Sequence, residues 1–166
     1  RMPRIEEVHL IIEVLESIGV RVDWQDTTIK ITPPKKFDLK KINLEAARRT
    51  RSIVMFIGPL IHSLEKFSLP QSGGCKLGSR TVRPHFYALE NFGINIDTTS
   101  ETYEISRTEA KSNEIVLYES GDTVTENILF AAAGIPNTTI IKYASANYMV
   151  QEICHFLKEL GVSIEG

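Results

Sequence analysis

The sequence predicts an α/β fold made of repeated helix–strand–strand units, distinct from the alternating βαβ order of a doubly wound sheet. The first observation behind this is an internal repeat. Leu15-Glu16-Ser17-Ile18-Gly19-Val20-Arg21-Val22 recurs as Leu89-Glu90-Asn91-Phe92-Gly93-Ile94-Asn95-Ile96 and again as Leu157-Lys158-Glu159-Leu160-Gly161-Val162-Ser163-Ile164. The second is the helical spacing of apolar residues ahead of the glycines: Val8, Ile11, Ile12, Leu15 and Ile18 in one copy, and Val150, Ile153, Cys154, Leu157 and Leu160 in another. The third is a set of short strand-like runs between these helices, at 27–32, 66–69, 101–106, 114–118 and 138–142.

Each repeat reads as a helix, a glycine stop and a strand. The glycine suits the position just past a helix, where the chain turns left-handed to leave it. The alternating Val/Ile that follows suits a half-buried strand. A long helix is expected over about 44–64, carrying Leu44, Ala47, Ile53, Val54, Phe56, Ile57, Leu60 and Ile61, with a kink or break at Gly58-Pro59. A shorter apolar helix is expected over about 124–134, ending near Gly134 and Pro136. The polar stretch 99–113 reads as a hairpin plus loop. No linker or low-complexity tract interrupts the chain. It therefore reads as a single globular domain over 1–166, with repeats near 1–33, 44–106 and 114–166, and with both ends looking cut from a longer protein.

At 166 residues and 42% hydrophobic content, the chain can bury a real core. A net charge of −2 argues against a general nucleic-acid binder. No apolar run approaches the roughly 20 residues that span a bilayer, and no signal peptide is visible. Two cysteines, Cys75 and Cys154, signal no disulfide framework and favour a reducing, cytoplasmic setting. Cys154 falls on an apolar helical face and reads as a small core residue.

Cys75 stands apart. It lies in a glycine-rich stretch with Gly73, Gly74 and Gly78, five residues before Arg80. That stretch fits either a surface turn or a catalytic lid carrying one reactive atom. Lys76 and Arg80 would favour the thiolate. Arg48, Arg49 and Arg51 precede one apolar segment, and Arg80 and Arg83 flank the start of another helix, where Pro84 fits the first turn. Arginines beside helix starts suit an anion such as phosphate or carboxylate; a solvated basic face is the alternative. His85, one residue past Pro84, suits a packing or capping role as well as a catalytic one. The four histidines have no metal-ligand spacing, and neither a metal nor a cofactor is expected.

Arg49-Thr50-Arg51-Ser52, Gly58-Pro59-Leu60, Ser68-Leu69-Pro70, Gly73-Gly74-Cys75, Leu77-Gly78-Ser79-Arg80 and Leu89-Glu90 together resemble the UDP-N-acetylglucosamine enolpyruvyl transferase (1-carboxyvinyltransferase) family. Thr125-Glu126-Asn127, Asn137-Thr138-Thr139-Ile140-Ile141 and the stretch from Phe156-Leu157 to Gly166 look like that family too. The resemblance implies an inside-out α/β domain, helices inside and sheets outside, and a missing second domain that closes the active site. It implies transfer of enolpyruvyl from phosphoenolpyruvate to the 3-hydroxyl of UDP-N-acetylglucosamine, the first committed step of peptidoglycan synthesis. Cys75 matches the loop general acid, which can also hold a covalent adduct. Arg51 and Arg80 match arginines that bind the anionic substrates. Thr81, Val82, Arg83 and Pro84 fall where the family contacts the nucleotide, and so do Gly121 and Asp122. The chain also departs from the pattern. Gln71-Ser72 lengthens the loop by about two residues, and Arg83 replaces an aspartate. Gly121-Asp122-Thr123 stands for Ser-Val-Gly, and Ala146-Asn147-Tyr148 for Arg-Glu-Pro. Two other readings stay open: a non-catalytic anion or nucleotide module of the same fold, and an enolpyruvyl transferase with a different acceptor.

Overall fold

The computed structural model describes residues 2–72 and 81–166. The helices are α1 (Glu6–Ser17), α2 (Leu44–Arg49), α3 (Ile57–Leu60), α4 (Arg83–Glu90), α5 (Asp122–Ala132) and α6 (Tyr148–Glu159). The strands are β1 (Arg21–Gln25), β2 (Thr28–Thr32), β3 (Lys66–Pro70), β4 (Ile94–Thr98), β5 (Thr102–Arg107), β6 (Glu114–Val116) and β7 (Ile140–Lys142). They form an antiparallel β1-β2 hairpin, a three-stranded sheet of order β3-β5-β4 and a parallel β6-β7 pair.

The repeat glycines behave as the sequence predicts. Gly19, Gly93 and Gly161 have φ of 104°, 77° and 92°, a region costly for any residue with a Cβ. The hydrogen bonds after α1 and α6 match each other. Gly19 N–H donates to Glu16 O at 3.0 Å and Val20 N–H to Leu15 O at 3.0 Å; Gly161 N–H donates to Lys158 O at 2.9 Å and Val162 N–H to Leu157 O at 3.0 Å. This paired pattern satisfies carbonyls that the helix leaves open at its end. The third repeat differs in one respect. Residues 162–166 form no strand, because an alternating run becomes a strand only where a neighbour accepts its backbone hydrogen bonds.

The expected helix over 44–64 is a larger correction. It ends at Arg49, runs on as 3-10 turns over Arg51–Phe56, and resumes only as the four-residue α3. The break falls at Thr50, eight residues before Gly58-Pro59. Thr50 is extended, with φ −118° and ψ 135°. Its Oγ1 accepts from Ser52 N–H at 3.0 Å and donates to Glu7 Oε1, and Ser52 Oγ donates to the same oxygen at 2.6 Å. A side chain from α1 thus offers the backbone a turn in place of a helix.

The chain divides into two compact units. Among the described residues the first comprises 2–54, 67–72 and 98–104. In it α1 packs on α2 and β1, burying Leu10, Ile12, Val14, Ile18, Val22, Ala46 and Ala47. Each large apolar side chain so buried contributes about 1.5–3 kcal/mol. Asn43 caps α2, its Oδ1 accepting from Ala46 N–H at 3.1 Å. Asp26, at φ 55°, turns the hairpin, and its register pairs Val22 with Ile31 and Trp24 with Ile29.

The second unit comprises residues 55–66, 81–97 and 105–166. Here α5 is central, packed by α3, α4 and α6, with Val124, Ile128 and Ala131 buried. The flanking strands β6 and β7 each leave alternate residues exposed. Within this unit the central helix α5 is enclosed by other helices, in keeping with the inside-out arrangement that the resemblance implies. On α6 only Val150 and Leu157 are buried. Cys154 is half-buried and Leu160 exposed, so the apolar stripe is less covered than its spacing suggests.

Candidate functional site

Arg51 belongs to the first unit. Thr81, Val82, Arg83, Pro84, Gly121 and Asp122 belong to the second. Cys75 and Arg80 lie outside the described residues.

The arginine cluster resolves into two kinds of side chain. Arg49 pairs with Glu6, Arg48 with Glu101 at 3.9 Å, and Arg83 with Glu90 at 3.9 Å. These pairs are exposed, and exposed pairs contribute little to stability. Arg51 is half-buried and makes no ion pair or side-chain hydrogen bond among the described residues. Without a carboxylate partner among the described residues, its guanidinium is the group among the described arginines of this cluster most suited to an incoming anion. The segment around it is anchored by the Glu7–Thr50–Ser52 contacts, which fix the backbone on both sides of Arg51.

In the second unit two candidate segments open helices. Val82 precedes α4, Pro84 sits in its first turn, and Thr81 Oγ1 accepts from Arg83 N–H at 3.1 Å. Pro84 suits the first turn because its missing N–H has no partner to lose there. Arg83 points along its own helix toward Glu90, with 71% of its side chain exposed.

Gly121 precedes α5, and its carbonyl accepts from Thr125 N–H at 3.0 Å and Thr125 Oγ1 at 2.8 Å. Asp122 opens the helix. Its Oδ1 accepts from Ser145 Oγ at 2.5 Å and its Oδ2 from Asn147 Nδ2 at 2.8 Å. Ser145 N–H also donates to Thr125 Oγ1 at 3.0 Å. Both carboxylate oxygens of Asp122 are thereby committed to the chain that leads into α6. Burial, and then the nearby Asp122 charge, push Glu126 above the usual carboxylate range.

Beneath these segments runs a buried polar chain. Fully buried Asn127 accepts from Gly58 N–H on Oδ1 at 3.0 Å and presents Nδ2 to His85 Nδ1 at 3.2 Å. His85 is 4% exposed, and its Nε2 lies 3.5 Å from Thr123 Oγ1. The sequence left His85 between packing and chemistry and gave Ser145 no role. Ser145 carries no local signal, since its partner Asp122 is 23 residues away. Among the described residues no group of three or more His, Cys, Asp or Glu could hold a metal ion.

The fold is that of the enolpyruvyl transferases. Over 99% of this chain and 39% of the other, it superposes on the enolpyruvyl transferase NikO from Streptomyces tendae with a TM-score of 0.81 at 14% identity. EPSP synthase from Acinetobacter baumannii matches over 88% of this chain and 34% of its own, with a TM-score of 0.62 at 17% identity. Residues 1–166 match the model of EPSP synthase (3-phosphoshikimate 1-carboxyvinyltransferase), and the chain belongs to that family. It is 34% identical to UDP-N-acetylglucosamine 1-carboxyvinyltransferase 1 of Legionella pneumophila and 31% identical to UDP-N-acetylglucosamine 1-carboxyvinyltransferase of Treponema denticola. In each case the match covers 99% of this chain, which spans 33% and 38% of those relatives' lengths.

Proposed function

We propose that this chain is the loop-cysteine part of a longer enzyme that moves enolpyruvyl from phosphoenolpyruvate to the 3-hydroxyl of UDP-N-acetylglucosamine, serving cytoplasmic peptidoglycan synthesis. The observation that carries the reading is the end-to-end match to transferases of that name at 31% and 34% identity. The half-buried Arg51, without a carboxylate partner among the described residues, supports it.

In this reading Cys75 delivers a proton to the methylene carbon of phosphoenolpyruvate. The adjacent carbon then becomes electrophilic, and the acceptor hydroxyl adds to it. Loss of a proton and departure of phosphate restore the double bond on the new ether. Arg51 and Arg80 hold the anions, whose charge must be balanced throughout. Thr81–Pro84 and Gly121–Asp122 face the nucleotide. A second domain, outside this chain, supplies the proton-abstracting aspartate and closes the site, so the 166-residue piece alone is close to inactive.

An epoxide phosphonate labels Cys75 in the complete protein, Cys75→Ala abolishes turnover, and Cys75→Asp keeps part of it. Absent labelling together with full activity of Cys75→Ala removes the assigned role.

Arg83, where the family carries an aspartate, motivates a second reading: the same transfer to an acceptor bearing a further acidic group. Calorimetry with several UDP-sugars separates the two. Binding without phosphate release would instead leave a non-catalytic module.

A further inference from the structure

We propose that His85 is a positioning residue for the nucleotide acceptor, bridging the two helix starts assigned to it; the inference rests on the function proposed above. His85 follows Pro84 directly and is buried at the start of α4. Thr123, which follows Asp122, lies in the first turn of α5. The ring spans the distance between them, with Nδ1 toward Asn127 and Nε2 toward Thr123 Oγ1.

The hydrogen bonds of Asn127 set the proton's place. Gly58 N–H can only donate, so the Asn127 atom it meets is the amide oxygen. The atom facing His85 is then the amide nitrogen, also a donor, and Nδ1 must accept from it. That assignment places the ring proton on Nε2, the nitrogen that faces Thr123 Oγ1. Asn127 is fully buried and pinned to the α3 backbone, so the frame behind the ring is rigid. At 3.5 Å the outward link is long, the outer limit of a hydrogen bond. It lies where Thr81–Pro84 and Gly121–Asp122 must hold one register to share a ligand.

A packing role and a positioning role differ in what they move. Steady-state kinetics of the complete protein with phosphoenolpyruvate and UDP-N-acetylglucosamine distinguish them, using Thr123→Val, His85→Gln and the double variant. Thr123 is exposed, so Thr123→Val removes the acceptor without touching the core. Positioning predicts a KM for the UDP-sugar raised about two-fold in Thr123→Val, the low end of the effect of one neutral hydrogen bond. KM for phosphoenolpyruvate stays at the wild-type value. His85→Gln, whose amide can still donate toward Thr123, retains part of the affinity, and adding Thr123→Val to it removes that remainder. A wild-type enzyme that turns over the UDP-sugar, with Thr123→Val unchanged in both KM values, overturns the positioning role alone. A wild-type enzyme without turnover of the UDP-sugar overturns the functional reading, and this inference with it.

Discussion

Gly58→Ala probes the packing that supports the candidate site. A Cβ built on Gly58 would lie 2.5 Å from the Asn127 carbonyl oxygen, 2.6 Å from Asn127 Oδ1 and 3.3 Å from Ala131 N. Two of these three atoms belong to the α5 backbone, so no side-chain rotation relieves the overlap. Restoring ordinary carbon–oxygen contact requires α3 and α5 to separate by nearly 1 Å, in a core packed as densely as an organic crystal. Such overpacking costs about 1–3 kcal/mol. The separation also stretches the 3.0 Å bond from Gly58 N–H to Asn127 Oδ1. A buried polar group left without its partner costs about 1–3 kcal/mol more. Alanine's better helix propensity returns at most about 1 kcal/mol. The net expectation is a loss of about 1–5 kcal/mol, read by urea denaturation of the complete protein against wild type. A variant within about 0.5 kcal/mol of wild type, the scatter of a neutral surface change, would refute the claim that Gly58 is required by close approach. A double-mutant cycle with Asn127→Ala localises the effect: part of the penalty disappears with Oδ1, while the part due to the backbone oxygen remains.

Glu126→Gln tests the raised carboxyl. The folded protein holds this proton to a higher pH than the unfolded chain does. Stability therefore falls as pH rises from about 4, the ordinary value, through the raised one. The glutamine variant is expected to melt higher than wild type at pH 7 and to lose that advantage below pH 4; thermal scans at both pH values decide it. Asp122→Asn keeps the shape but gives up two bonds to an ionised acceptor. It is expected to cost about 1–3 kcal/mol in chemical denaturation, and an unchanged midpoint would mean that the Ser145 and Asn147 contacts contribute nothing. Thr50→Val keeps the branched shape but removes the hydroxyl that meets Glu7 and Ser52. It is expected to destabilise by about 1–3 kcal/mol and to weaken phosphoenolpyruvate binding through the neighbouring Arg51, measured by calorimetry.

What could be read from the sequence was local. The three glycines announce their left-handed turns because the conformation belongs to the residue itself. The helix opened by Arg83-Pro84 and the hairpin plus loop over 99–113 follow from short-range patterns for the same reason. The break at Thr50 could not be read that way, because Glu7, the residue that holds it, lies 43 positions earlier. Gly58-Pro59 drew attention as a helix breaker, whereas in the fold Gly58 serves close approach to α5. The arginines were legible as a cluster but not as individuals. Only their distant partners, Glu6 for Arg49 and Glu101 for Arg48, separate them from Arg51. The same applies to His85, whose orientation depends on the distant Gly58 and Asn127.

Enolpyruvyl transfer is tested most directly by a single reaction. The complete protein is incubated with phosphoenolpyruvate and UDP-N-acetylglucosamine, and released phosphate is followed alongside the mass of the nucleotide product. Stoichiometric phosphate and a nucleotide carrying one added enolpyruvyl group are expected, both lost in Cys75→Ala. Tight binding of both ligands with no phosphate release would contradict it.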